Sequence, residues 1–271
     1  MSWRTIVVSP HFDDAAMSVA GVLARSEGPS VIVTVLGGAA AERESSWDRL
    51  CGFASAEETA RERLAEDARA CEVLGAEQVA LDYPDVPAQA LRLDGLADFL
   101  TAGVTPDTRV LVPMGIGNAD HETVRDRALD ALSGLGAGEV LAYADLPYAS
   151  AVREWGTPEA ARALAERQPV LTLAGRHRLR PEPPVRLDER EWALKRRAVL
   201  SYASQIAPLA CEYGEFVAMP GPLQHELLWA LESESGVMFA MNSRRTRGGL
   251  TGSRTARALR PGSGPSRRSC P

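Results

Sequence analysis

Long hydrophobic runs are missing from this chain: none of 18 or more apolar residues occurs in its 271, so no membrane-spanning helix is expected. The amino terminus has no apolar stretch ending in a small-residue cleavage site, which argues against a secretory signal and for the cytoplasm. Cysteine is sparse. Cys51, Cys71, Cys211 and Cys270 are far apart and form no C-x-x-C pair, so neither a cysteine zinc site nor a disulfide framework is expected, and reduced thiols are. No G-x-G-x-x-G follows the first apolar strand, where Ser9-Pro10-His11 stands instead, which argues against a dinucleotide-type phosphate loop. Acids are absent from residues 242–271, which carry eight arginines and leave 22 basic against 36 acidic residues elsewhere. The body of the chain thus carries −14 and is a poor match for a nucleic-acid backbone.

What is present is a strand–helix alternation. Hydrophobic residues make up 45% of the chain, enough for one sizeable core. Apolar runs predict strands near 4–9, 30–36, 78–82, 108–113 and 139–144. Helical spacing predicts helices near 14–26, 56–75, 89–102, 121–133, 157–167, 188–203 and 222–232. In the clearest of these, Ala60, Leu64, Ala68, Cys71 and Leu74 recur at three- and four-residue spacing until Gly75 stops the helix. The pattern implies an α/β fold, a Rossmann-like mostly parallel sheet with helices on both faces. It forms a single domain over about residues 1–235. Residues 242–271, rich in Arg, Gly, Ser and Pro without periodicity, are expected to be a disordered tail. The long loop 37–55 follows the second strand, and its Trp47 and Phe53 either line a pocket or pin the loop to the core.

Chemistry concentrates at two strand ends. The first strand runs into Ser9-Pro10-His11-Phe12-Asp13-Asp14, and a helix follows. The apolar run Val110-Leu111-Val112 leads to Asn118-Ala119-Asp120-His121, where another helix starts. Open α/β sheets bind ligands at the carboxyl edge of their strands, so the two segments can face each other. Two imidazoles and a carboxylate make an open zinc set. The bland alternative, that Asp13 or Asp14 only caps the helix, explains neither the second acid nor His11. His177 and His225, in arginine-rich and amphipathic contexts, read as non-catalytic.

His11-Phe12-Asp13-Asp14 resembles the HPDD motif of the PIG-L/LmbE-like zinc-dependent N-deacetylases, and Asn118-Ala119-Asp120-His121 resembles their HxDH motif. Arg63-x-x-Glu66 with Leu74-Gly75, Asp145-Leu146-Pro147-Tyr148, Lys195-x-x-Ala198 with Tyr202-x-Ser204-Gln205, and Glu226-x-x-Trp229 are similar to further family segments. The resemblance spans about residues 4–232. It implies a zinc-dependent hydrolase that removes an N-acetyl group from an amino-sugar-containing small molecule. One zinc per chain would be held by His11, Asp14 and His121, with Asp13 as general base. Arg63 and Asp85 match positions that touch sugar hydroxyls. Asn118 replaces a common family histidine that stabilises the tetrahedral intermediate. An amide can donate a hydrogen bond there but brings neither charge nor proton. Tyr148 is a candidate second donor. The substitution at 118 also keeps open a catalytically weak relative that binds a sugar or metabolite without turnover. The substrate stays open among a secondary-metabolite glycoside, a thiol-cofactor precursor and a lipid-linked sugar.

Overall fold

A computed structural model describes residues 2–39, 46–84 and 87–232. Its strands are β1 (Thr5–Ser9), β2 (Ser30–Thr34), β3 (Ala76–Ala80), β4 (Arg109–Pro113), β5 (Glu139–Tyr143), β6 (Arg178–Pro181), β7 (Val185–Arg186), β8 (His225–Glu226) and β9 (Leu228–Glu232). β7 and β8 pair with each other, and the other seven form one sheet in the order β3-β2-β1-β4-β5-β9-β6. β1, β2, β3, β4 and β5 run parallel, while β9 is antiparallel to both β5 and β6. β1 (Thr-Ile-Val-Val-Ser) is buried along its whole length because both sheet faces are covered. Val7 packs into one core, and Ile6 and Val8 into the other.

The first core lies under α1 (Asp14–Arg25), α3 (Ala56–Leu74), α8 (Glu189–Val199) and α9 (Ala203–Tyr213). The second lies under α4 (Asp94–Gly103), α5 (Ala119–Leu132), α6 (Ala160–Leu164) and α7 (Gln168–Ala174). A short α2 (Ser46–Leu50) lies within the long loop after β2. The described residues form a single α/β unit of three layers. From β1 it winds outward through β2 and β3, then returns past β1 to β4. The crevice between the carboxyl ends of β1 and β4 is therefore the switch point at which such sheets bind ligands.

The structure corrects three expected helices. Residues 222–232 form a 3-10 turn (Pro222–Gln224) followed by β8 and β9. Leu228 and Ala230 enter one core while Trp229 enters the other, and only an extended chain between two layers can do that. The expected helix 157–167 is shortened to α6, and a separate α7 follows it. The expected helix 188–203 ends at Val199, and a separate α9 follows.

Helix α3 has the expected length, with Ser55 accepting from the Glu58 N–H at its start and Gly75 left-handed (φ 67°) at its end. Its inward face differs, however. Thr59, Arg63, Glu66, Asp67, Ala70, Cys71 and Leu74 are buried, while Leu64 is exposed. The buried charges are partnered, which is what makes their burial tolerable. Arg63 Nη2 lies 3.0 Å from Asp48 Oδ1, and Glu66 accepts from the Ser204 hydroxyl at 2.7 Å. Asp67 accepts from the Tyr202 hydroxyl at 2.7 Å and from Gln78 at 2.9 Å.

Candidate metal centre

The turn leaving β1 is tied before α1 begins. Ser9 Oγ donates to the His11 carbonyl at 2.6 Å and accepts from the Ala15 N–H at 3.1 Å. This brings His11 and Asp14 round to one side. Asp13 occupies the N-cap position of α1 but its side chain makes no capping hydrogen bond, so helix capping does not account for it. The loop leaving β4 is tied as firmly. Asp145 Oδ2 accepts from the Ile116 N–H at 2.7 Å, and the buried Arg125 donates to the Met114 carbonyl. Gly117 has φ 82°, and a Cβ there would stand 2.8 Å from Tyr148 Cβ, so only glycine lets that ring lie against the loop.

His11, Asp14 and His121 converge. Asp14 Oδ2 lies 3.2 Å from His11 Nδ1 and 3.1 Å from His121 Nε2, and the two imidazole nitrogens are 3.3 Å apart. Among the described residues these three form the group whose ligand atoms all lie within 4.8 Å of one another. Tetrahedral ligands at zinc bond lengths stand about 3.3 Å apart, so the donor set fits such an ion. His121 is fully buried, and its Nδ1 lies 2.8 Å from Asp145 Oδ1. A proton held there points the Nε2 lone pair at the shared point.

The electrostatics agree with a cation site. Burial alone would raise the Asp14 carboxyl, yet the neighbouring His121 charge and hydrogen bonds from both imidazoles hold it well below the usual carboxylate range. Burial alone would lower His121, yet Asp14 and the Asp145 hydrogen bond push it up to about 10. Without a metal, the pocket thus draws a positive charge onto His121. Burial and the Asp14 charge push Asp13 up to about 6, opposed by His11 and Arg63.

His11, Asp13, Asp14, Arg63, Asn118 and Tyr148 line one pocket of about 430 Å³, with His121 beneath them. Trp47 joins the wall, as one of its two readings anticipated, and Phe53 is not among the lining residues. His177 and His225 lie away from it. Asn118 is also the N-cap of α5: its Oδ1 accepts from the Asp120 N–H at 2.9 Å, which leaves its NH2 as the donor. Tyr148 belongs to a 3-10 turn after β5, and its ring meets His121 edge-on at 5.6 Å. Burial holds its phenol well above the usual range, with a hydrogen bond from Asn118 acting the other way. Asp85 lies outside the described residues.

Sequence reasoning missed two contributions. Asp145 buttresses His121 from 24 residues away, and within its own segment nothing marks it as a histidine partner. α9 supplies Gln205, Leu209, Glu212 and Tyr213 to the wall, but Pro208 inside it obscures the helical signal.

Comparison with known proteins gives a consistent picture. The family described as "PIG-L: GlcNAc-PI de-N-acetylase" matches residues 6–132. No curated protein matches the sequence significantly. The solved A40926 pseudoaglycone deacetylase is 25% identical with a TM-score of 0.62, over 86% of this chain and 98% of that one. A deacetylase of the teicoplanin biosynthesis pathway has TM-score 0.63 at 21% identity, over 85% and 98% of the two chains, and shows likeness of fold. So does the 4-carboxy-2-hydroxymuconate hydratase of Pseudomonas putida, with TM-score 0.52 and 20% identity over 93% of this chain and 100% of the other. The hydratase carries a different chemistry on a similar fold, so the fold alone does not decide the reaction. The matched span holds both ligand loops, His11–Asp14 and Asn118–His121, so it is over the metal centre that the chain is similar to the PIG-L family.

Proposed function

We propose that this protein is a zinc-dependent N-deacetylase acting on an amino-sugar-containing small molecule, with one zinc per chain. The observation that carries the reading is the convergence of His11, Asp14 and His121 in a pocket that also holds Asp13. In such a site zinc supplies Lewis acidity toward the amide carbonyl and toward water. The residues of the chain do the rest. Asp13, held up to about 6 by burial and by Asp14, is a carboxylate at neutral pH and basic enough to take the proton of the attacking water. It can return that proton to the departing amine. The Asn118 NH2 and the Tyr148 hydroxyl are the neutral donors for the oxygen on which negative charge develops. Arg63, braced by Asp48, offers its guanidinium to sugar hydroxyls, and Trp47 and Tyr213 offer rings on which a pyranose can stack. Asp85 keeps its proposed place as a hydroxyl acceptor. The relatives named as deacetylases support this chemistry.

The test is a panel of N-acetylated amino sugars and glycosides, scored by acetate release, on protein whose metal content has been measured. Release that depends on zinc supports the reading. A second reading, binding without turnover, draws on the Asn118 side chain, whose oxygen is already committed to its helix. Zinc at one per chain and saturable binding without acetate release would favour it.

A further inference from the structure

Helix α1 is interrupted at its centre. Val19 has φ −139° and ψ 19°, outside the helical range. Such a break opens the hydrogen-bond ladder, and backbone groups freed inside a core need other partners. Glu226 on β8 provides them. Its Oε1 accepts from the Gly21 N–H at 2.9 Å and its Oε2 from the Val22 N–H at 3.0 Å. Lys195 Nζ on α8 donates to the same carboxylate at 2.9 Å, and both side chains are wholly buried. A Cβ on Gly21 would stand 2.2 Å from Leu187 Cδ2 and 3.0 Å from Glu226 Oε2, so glycine is what admits the carboxylate.

Composition singles out the same pair. Lys195 is the only lysine among 30 basic residues. With two backbone N–H groups already on Glu226, a compact ammonium completes the cluster, whereas a planar guanidinium would bring five donors to the two remaining acceptor positions.

The break divides α1 in two. The carboxyl half is fixed to Glu226. The amino half carries Asp14 and Ser18, and Ser18 Oγ accepts from the Leu146 N–H at 3.0 Å. Leu146 follows Asp145, which holds His121. The ion pair therefore reaches Asp14 through the helix and His121 through Ser18 and the 145–146 backbone. We propose that Glu226 and Lys195 are positioning residues of the metal site, setting the break in α1 and thereby the separation of Asp14 from His121. This rests on the metal-site reading above.

The experiment compares the full chain with Glu226→Gln, Lys195→Met, Glu226→Asp and a packing control, Leu100→Ala, in the opposite core layer. Zinc affinity is measured against a chromophoric chelator, and the cobalt(II) absorption spectrum reports ligand geometry. The clamp variants are expected to bind zinc on the order of 10–100-fold more weakly and to shift the cobalt bands. Leu100→Ala is expected to melt earlier with both metal readouts unchanged. Glu226→Asp keeps the charge but shortens its reach, and serves if the other two fail to fold. Wild-type affinity and spectrum in every folded clamp variant would overturn the proposal. So would failure of all three to fold under conditions in which Leu100→Ala folds, since the pair would then serve stability alone. A wild-type chain that takes up neither metal would remove the metal-site reading itself.

Discussion

Asp13 and Asp14 are neighbours of one chemical type, yet their surroundings drive them apart. Asp14 faces two imidazoles and stays ionised, while Asp13 faces Asp14 and holds its proton more tightly. That split assigns one to ligation and the other to proton transfer. Asp13→Asn is expected to retain zinc and lose turnover on the order of 10²–10⁴-fold, measured by metal analysis beside acetate release. Asp145→Ala should act through the metal instead. With the Nδ1 proton of His121 no longer held, zinc affinity should fall on the order of 10–100-fold in chelator competition. At this scale the sequence is most legible where chemistry is local. His11, Asp13 and Asp14 fall within four residues, and His121 opens a helix in the matching loop. Asp145 is illegible because its partner is brought to it by the sheet. The second duty of Asn118, capping α5, follows from ordinary helix-start preference.

Among the elements, α3 shows how an inward face can be misread. Periodicity selects Leu64, but the buried face carries Arg63, Glu66 and Asp67, each satisfied by residues remote in sequence. Tyr202 and Ser204, which the family resemblance brought out with Gln205 as one late signature, serve this face. The first two bond Asp67 and Glu66, and Gln205 accepts from the Trp47 indole at 2.7 Å. Burial pushes Asp67 up to about 6, against hydrogen bonds from Tyr202, Gln78 and Cys71. An acid raised in the folded state binds its proton more tightly there than in the unfolded chain. Its contribution to stability is therefore complete below about pH 4 and lost as pH rises through about 6. A shift of about two units corresponds to about 3 kcal/mol. Denaturant melts at pH 4 and pH 7 should show Asp67→Asn losing less stability across that interval than the wild type. β9 fails as a sequence-level strand for a related reason. Leu227 to Ala230 is apolar throughout, so it lacks the polar/apolar alternation that marks a strand, and the Glu226–Trp229 spacing suits a helix turn.

For the molecule as a whole, the winding of the sheet does what neither loop could do alone. It sets two histidines 110 residues apart within 3.3 Å. Metal should accordingly be felt globally. At zinc a hundredfold above its dissociation constant the folded state gains about 2.7 kcal/mol, so chelation should lower the melting temperature measurably. The arginine-rich segment should not matter to this. A chain ending at Ala240 is expected to keep its fold and its zinc, since residues 242–271 carry no apolar period to bury, and calorimetry with metal analysis would show it. The buried ion pair has one last consequence, for how the protein can be watched. With its only lysine enclosed, the native chain shows amine reagents no side-chain target at all. Acylation of Lys195 then reports each occasion on which the layer between α1 and α8 parts. Mass spectrometry of a single peptide becomes a clock for that motion, and adding zinc should slow it.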